Sequence, residues 1–302
     1  MDERELLANR FEEHRPRLRA LAYRMLGSQS ESDDAVQEAW LRLDRSDHGG
    51  VENLGGWLTT VVGRVCLNML RSRGSRRERL LSEPSDETPN VRMPDPIVDR
   101  EDGIDPEHQA LLADGIGLAL LVVLETLSPA ARIAFVLHDT FGVPFDEIAP
   151  IVGRSPAATR QLASRARRRV QSGAKVPAAD TSRKREVVDA FLAASRDGDL
   201  GALLAVLDPG VVLRADPGAA GTLREVHGAH AVAEQARAFS GLGRFSRRAL
   251  VNGVAGIVSR APGGPTFSVM GFTVARGKIA EIDILADPER LDRLDLPASL
   301  EG

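Results

Sequence analysis

The sequence predicts a multidomain chain: two all-α N-terminal domains, the second containing a helix-turn-helix, then a C-terminal α+β domain with a curved antiparallel sheet. Three observations predict it. Apolar residues recur at helical spacing through most of the first 170 positions. A proline-bearing stretch, with ten acidic and two basic residues over 81–114, divides that helical part. Beyond residue 181, Val/Ile/Phe/Thr-rich runs alternate with Gly-containing turns. At about 100–200 residues per domain, 302 residues hold two or three domains.

Composition excludes several classes. Cys66 is the one cysteine, so neither a disulfide framework nor a cysteine-based zinc site is available. The longest apolar run, 116–124, is far short of the ~20 residues a bilayer needs. The polar start Met1-Asp2-Glu3-Arg4 has no apolar signal core, so an intracellular, cytoplasmic protein is expected.

The first domain, 1–80, reads as three helices. Leu6, Leu7, Phe11, Leu18, Leu21 and Met25 place one over 4–26, with Gly27 as its stop. A second covers 31–43, with Ser30 or Ser32 as cap and acids in its first turn. A third runs from Gly56 to Arg73 on Trp57, Leu58, Val61, Val62, Val65 and Leu70. Residues 81–112, with Pro84, Pro89, Pro94, Pro96 and Pro106, read as an acidic linker, extended in places and unpacked. In the next domain, 113–175, one helix spans Leu111 to Leu127 with a break near Gly115 and Gly117, and Ser128-Pro129 opens another. A short helix over 145–152, the turn Gly153-Arg154-Ser155 and a basic helix over 156–170 follow, the helix-turn-helix pattern. The last domain, 181–302, has helices at 183–196, 199–207 and 228–239, and strands at 211–215, 247–251, 254–260, 266–275 and 278–285.

Charge is segregated. Residues 64–79 carry six arginines against Glu78, and 154–169 carry six with no acid. A polyanion is drawn to both stretches and repelled by the acidic one between.

These residues resemble a family. Ser30-Glu31-Ser32-Asp33-Asp34-Ala35-Val36-Gln37-Glu38-Ala39-Trp40-Leu41 looks like the polymerase-docking helix of bacterial extracytoplasmic-function sigma factors. The stretch from Asn53-Leu54-Gly55-Gly56-Trp57-Leu58 through Asn68 to Arg77 looks like their promoter-melting segment, and 125–170 like their promoter-reading helix-turn-helix. The rest resembles a subgroup with a fused SnoaL-like, NTF2-like cone. That subgroup has a Trp-Leu-Pro-Glu-Pro motif in the linker, Asp-Gly-Gly-Gly-Lys early in the extension and Asn-Pro-Asp-Lys-Leu near the end. Here the corresponding stretches are Arg92-Met93-Pro94-Asp95-Pro96, Asp216-Pro217-Gly218-Ala219-Ala220 and Asp287-Pro288-Glu289-Arg290-Leu291; Asn252-Gly253 also fits.

The resemblance implies an alternative sigma factor that directs core RNA polymerase to promoters and aids melting, with no reaction of its own, no cofactor and no metal. Asp33, Asp34, Gln37, Glu38 and Leu41 fall mostly on one helix stripe, a surface for a basic, partly apolar partner; the resemblance makes that partner the clamp helices of polymerase's largest subunit. Asn53, Arg64, Asn68, Arg71, Arg73, Arg76 and Arg77 are candidate contacts to the minus-ten element, the arginines on phosphates and Asn68 on a base edge. Trp57 is able to stack a base but fits the core pattern better. Arg154, Ser155, Ala158, Thr159, Arg160, Arg165 and Arg168 are candidates for the minus-thirty-five element: Arg160 on a guanine, Thr159 on a thymine methyl, and Arg154, Arg165 and Arg168 on phosphates, joined by Arg167 and Arg169.

In the C-terminal domain, Arg214, Asp216, His227, His230 and Asp283 are the polar candidates for a cavity, but no acid–base pair stands out and His227 and His230 lack a third metal ligand. The domain reads as a modulator acting in cis, in contact with the helical domains and the linker, with Pro94, Asp95, Pro96, Asp216, Gly218, Asp287 and Pro288 as contact candidates. Two alternatives stay open: a helix-turn-helix regulator working without polymerase, and a cyclase- or isomerase-like enzyme in the C-terminal domain.

Overall fold

Helical periodicity in the first block becomes α1 (Glu3–Leu26), α2 (Gln29–Asp44) and α3 (Leu54–Leu80). The computed structural model describes residues 3–45, 53–80, 92–112, 117–173, 181–218 and 223–300. Two compact units result: Met1–Pro89 with Val123–Ser172, and Asn90–Val122 with Gly173–Gly302. No helix among the described residues is long and apolar enough to cross a membrane.

In the first unit, Phe11, Leu18, Tyr23 and Met25 of α1 are buried with Val36 and Leu43 of α2 and Leu58, Val62 and Leu67 of α3. The N-cap of α2 is Ser28, two residues before the earlier of the expected caps; Ser32 is instead buried, its Oγ donating to the Ser28 carbonyl at 2.5 Å. Then come α6 (Pro129–Phe135), a π-helical segment (Val136–Thr140), α7 (Phe145–Val152) and α8 (Pro156–Gly173). Ser128 caps α6 by accepting from the Ala131 N–H, with Pro129 in its first turn. The two helical blocks, expected as separate domains, pack as one unit. A Cβ on Gly63 of α3 would lie 3.3 Å from Ile133 Cδ1, so the helices approach closely there. Arg132, 3% exposed, ties α6 back to α1: its Nη1 donates to the Met25 carbonyl at 2.8 Å and to Glu125 Oε1 at 2.6 Å.

The second unit holds α4 (Pro106–Leu112), α5 (Leu118–Glu125, whose end belongs to the first unit), α9 (Thr181–Asp197), α10 (Leu200–Val206), α11 (Ala229–Ala238), α12 (Ser240–Gly243) and α13 (Pro288–Leu291). Its sheet has seven strands: β1 (Val98–Asp99), β2 (Leu207–Asp216), β3 (Arg224–His227), β4 (Ser246–Val251), β5 (Val254–Arg260), β6 (Thr266–Ala275) and β7 (Lys278–Leu285), in the order β1-β4-β5-β6-β7-β2-β3. All neighbours are antiparallel except β2 and β7, which run parallel, so the expected antiparallel sheet is mixed at one pair.

The expected linker is not unpacked over its described part. Val98 and Asp99 pair with Val251 and Leu250 as an edge strand. Met93, Val98, Leu118 and Val122 share a buried cluster with Ala249, Val251, Val258, Val269, Leu285 and Leu291, on one face of the sheet. On the other face, Val188, Phe191 and Leu192 of α9 and Val232 and Ala233 of α11 pack over Leu213, Ile257, Phe272 and Ile282. The stretch has few apolar residues, yet Met93, Ile97, Val98, Leu111 and Leu112 are all buried, which outweighs its overall polarity.

Asp283 is 1% exposed, on the β7 face opposite Ile282 and Ile284. Arg214, its cross-strand neighbour, donates to it at 3.1 Å and also lies near Glu225 (3.3 Å) and Glu281 (3.7 Å). Burial outweighs the arginine and pushes the Asp283 carboxyl up from 3.8 to about 6. A raised folded-state value binds the proton more tightly than the unfolded chain does. Its stabilising contribution is therefore full below about pH 4 and lost as pH rises through about 6. Asp283→Asn has no such proton, so urea unfolding from pH 4 to 7 will show the variant gaining stability relative to the parent as pH rises. Parallel profiles refute this reading.

Candidate functional site

The α2 stripe forms as its spacing predicts. Asp33, Asp34, Gln37 and Leu41 are exposed and Glu38 is half-buried, while Ala35, Val36 and Ala39 face the core. Leu41, 37% exposed, is one of only four large apolar side chains so exposed among the described residues. Two of the acids already hold cations: Asp33 pairs with Arg19 at 2.6 Å and Glu38 with Arg42 at 3.0 Å. Both pairs are solvent-facing, where an ion pair is worth about 0–1 kcal/mol, so exchange for another cation is cheap.

On α3, Arg64, Asn68 and Arg71 are exposed on a common side. Arg73 is not available in the same way: it is ion-paired with Glu31 and donates to the Leu26 carbonyl at 3.1 Å, locking α3 to the α1–α2 corner. The side chains of Arg76 and Arg77 lie outside the described residues, as do residues 51 and 52 ahead of α3. Asn53 is exposed, and its Oδ1 accepts from the Gly56 N–H at 3.0 Å, capping α3. Trp57 is half-buried. Asn53 to Gly56 and Thr59, with Arg10, His14 and Arg17 of α1, line a hollow whose other wall is Phe141, Gly142, Val143 and Pro144. Arg17 donates to the Phe141 carbonyl at 3.2 Å, and Arg24 sits 5.1 Å from the centre of its ring.

The helix-turn-helix is built as expected. Gly153, at φ +70°, takes the left-handed conformation that ends α7, which a side chain would resist. Ser155 Oγ then accepts from the Ala158 N–H at 3.2 Å, so this hydroxyl serves as the α8 cap and not as a free base contact. Thr159 is fully buried, its Oγ1 donating to the Ser155 carbonyl at 3.0 Å. It therefore cannot touch a thymine methyl, which corrects the sequence reading. Ala158 is half-buried, and Arg154, Arg160, Gln161, Arg165 and Arg168 are exposed. Arg160 lies over the Phe145 ring at 5.3 Å. Arg167 pairs with Asp139 at 2.5 Å and Arg169 donates to Thr126 Oγ1 at 2.9 Å. Gln161, which the sequence reading did not single out, is exposed one turn into α8, beside Arg160 and Arg165.

In the second unit the expected contact residues come together around a residue that was quoted but assigned no role, Arg290. This guanidinium is 6% exposed. It donates to Asp95 Oδ1 at 2.6 Å, to Asp216 Oδ2 at 2.9 Å and to the Met93 carbonyl. Asp216 also accepts from the Met93 N–H at 3.0 Å and the Gly218 N–H at 3.0 Å. Asp287 caps α13, accepting from the Glu289 and Arg290 N–H groups, with Pro288 in its first turn, and so fixes where Arg290 points. Gly218, at φ +67°, packs so tightly on Asp287 that a Cβ would overlap its carboxyl carbon. Pro94 and Pro96 are buried. Nearby, Asn252 holds Ile97 at both ends: its Oδ1 accepts from the Ile97 N–H at 3.2 Å, and its own N–H donates to the Ile97 carbonyl at 2.8 Å. The three divergent motifs thus form one clasp on the segment before β1.

His227 and His230 are exposed and apart from this clasp. Among the described residues no group of three or more His, Cys, Asp or Glu side chains is placed to hold a metal ion.

Residues 10–76 match the family described as Sigma-70 region 2, and 117–170 match Sigma-70, region 4. The chain is 37% identical over 294 residues to the ECF RNA polymerase sigma factor SigJ of Mycobacterium tuberculosis, covering 93% of this chain and 91% of that one. It is 35% identical over 296 residues to SigI of the same organism, a probable ECF RNA polymerase sigma factor, covering 93% of each. The crystal structure of SigJ superposes with a TM-score of 0.74 at 34% identity, over 96% of this chain and 100% of that chain. Relatives of this similarity over nearly the whole length make the chain a member of the extracytoplasmic-function RNA polymerase sigma factors.

Proposed function

We propose that this sigma factor docks core RNA polymerase on the α2 stripe, grips promoter DNA with two arginine faces, and is governed in cis by the clasp around Arg290. As a family member it is an alternative sigma factor, a non-enzymatic initiation factor directing polymerase to promoters. Acting on chromosomal DNA places it in the cytoplasm.

Asp34, Gln37 and Leu41 supply an acidic and apolar patch, and Asp33 and Glu38 exchange their internal cations for the partner's. Arg64, Asn68 and Arg71 meet the minus-ten element, with Asn53 and the hollow behind it receiving an unstacked base. Arg154, Arg165 and Arg168 take phosphates of the minus-thirty-five element, while Arg160 and Gln161 reach base edges, a guanine and an adenine by hydrogen-bond pattern. Because Phe141 to Pro144 wall the same hollow, a base enters only when that loop moves away, which fits a resting form and a polymerase-competent form in equilibrium.

The regulatory reading rests on one observation: the segment joining the two helical blocks is itself a strand and a buried cluster of the C-terminal domain. Whatever loosens the clasp alters the tether between the two DNA-reading blocks.

Asp34→Arg combined with Glu38→Arg will abolish co-purification with core polymerase while the far-ultraviolet circular dichroism stays native; retained binding rejects the docking surface. Arg290→Met leaves Asp216 buried beside no cation and will cost the domain about 3–5 kcal/mol in urea unfolding. The milder Asp95→Asn, which removes one arm of the clasp, will change the rate of transcription in vitro by core polymerase from a fixed promoter. An unaltered rate removes the regulatory claim.

A further inference from the structure

The C-terminal domain contains a cavity of about 350 Å³ between α9, α11 and the helix-bearing face of the sheet, a size within the ~300–1,000 Å³ of small-molecule sites. Phe191, Leu192, Leu213, Ile257, Met270 and Ile282 form its apolar walls. No Asp, Glu, His or Lys is among the described residues lining it, and its one charged side chain, Arg224, is exposed. It opens at Phe239 and Leu242, which are 56% and 42% exposed, so an apolar rim faces solvent where a closed core would cover it.

One strip of the wall is polar. Ser246, Ser259 and Ser268 stand opposite one another on β4, β5 and β6 and all line the cavity. Ser246 Oγ and Ser259 Oγ are 2.8 Å apart. Ser268 is 5% exposed, and its Oγ has no hydrogen-bond partner among the described residues. A buried hydroxyl left without a partner costs stability, and Ala or Val would fill a purely structural wall at less cost.

The wall also meets the clasp. Ala215, Pro217 and Ala286 line the cavity, and Asp216 and Asp287, their immediate neighbours in the chain, hold the clasp. Strand pleating sends successive side chains to opposite faces, so pressure on one face is felt at the other.

We propose that this cavity is a receptor site for an uncharged small molecule with an apolar body and a single hydroxyl or carbonyl group, which Ser268 engages, and that occupancy acts on the clasp. The second half rests on the cis regulation proposed above; the first does not. The ligand enters past Phe239 and Leu242, with its polar end toward the serine row. Having neither acid nor base to work on it, the site binds without converting.

The test titrates the full chain with 2-naphthol and with naphthalene, two apolar probes differing by one hydroxyl, and reads binding by fluorescence. Naphthol will bind about five-fold or more tighter than naphthalene, the value of one hydrogen bond. Ser268→Ala will erase that preference and leave naphthalene affinity unchanged. Ala236→Phe, which fills the cavity, will abolish both while circular dichroism stays native. Equal binding of the two probes, a preference surviving Ser268→Ala, or binding retained by Ala236→Phe overturns the site. Because linkage is reciprocal, Asp95→Asn will shift naphthol affinity at least about two-fold; an unshifted affinity overturns the coupling alone. No arm uses polymerase or DNA, so failure here is separate from failure of the sigma-factor assignments.

Discussion

A guanidinium with almost no water around it must be surrounded by acceptors, and Arg290 sets that requirement for the whole second unit. Two carboxylates and a backbone carbonyl meet it, and they come from chain positions near 93–95 and 216. Removing Arg290 leaves the Asp216 carboxylate buried without a cation, a costly defect, whereas removing one carboxylate leaves the guanidinium the other. The arginine is thus the member that the rest of the clasp depends on. Proline at 94 and 96, the left-handed Gly218 and the Asp287 cap each serve to place one member of it. A contact of that kind suits a regulator better than a greasy patch does, because its geometry has few intermediate states.

The first unit uses ion-paired arginine, buried at Arg132 and half-buried at Arg73, in the same manner and exposed arginine in another. Arg132 and Arg73 are consumed in joining helices. Arg64, Arg71, Arg154, Arg160, Arg165 and Arg168 are exposed. The division shows how a chain of net charge −4 carries two arginine-dense stretches: its acids are concentrated elsewhere in the sequence, ten of them over 81–114. Sequence density alone does not separate the two uses, since Arg71 and Arg73 differ by two positions and by whether Glu31 stands across from them.

That limit describes what was legible. Strands β5, β6 and β7 were readable to their ends, because they begin and end where alternation starts and stops; α3 instead runs to Leu80 past the expected Arg73, β2 starts at Leu207 ahead of the expected 211, and β3 was not expected. The helix-turn-helix was readable because Gly153 and Ser155 carry local, side-chain-level reasons for a turn and a cap. The two-residue β1 was not, because a strand so short has no period, and it exists only through pairing with β4, some 150 positions away. Thr159 was misread for a related reason: position in a recognition helix names a residue's neighbours along the chain, whereas burial depends on what the helix packs against. Arg290 was visible in its motif without its role, since nothing local says that a cation after an Asp-Pro cap points inward.

The two faces of the C-terminal sheet bear on the enzyme alternative, which the family relationship does not favour. Asp216 and Asp283, two of the polar residues expected to face a cavity, do not line it; one is bound to Arg290 and the other to Arg214. The cavity is lined by serines and hydrocarbon, with Gln235 and the exposed Arg224 as its other polar side chains. Hydrolysis or isomerisation needs a proton donor or acceptor of suitable strength within reach of the bound molecule, and an alkyl hydroxyl with no base beside it supplies neither. The alternation of the strands therefore divides the polar chemistry of the domain: on β2, Ala215 faces the cavity while its neighbour Asp216 faces Arg290, and on β7, Ile282 and Ile284 face the cavity while Asp283 between them faces Arg214.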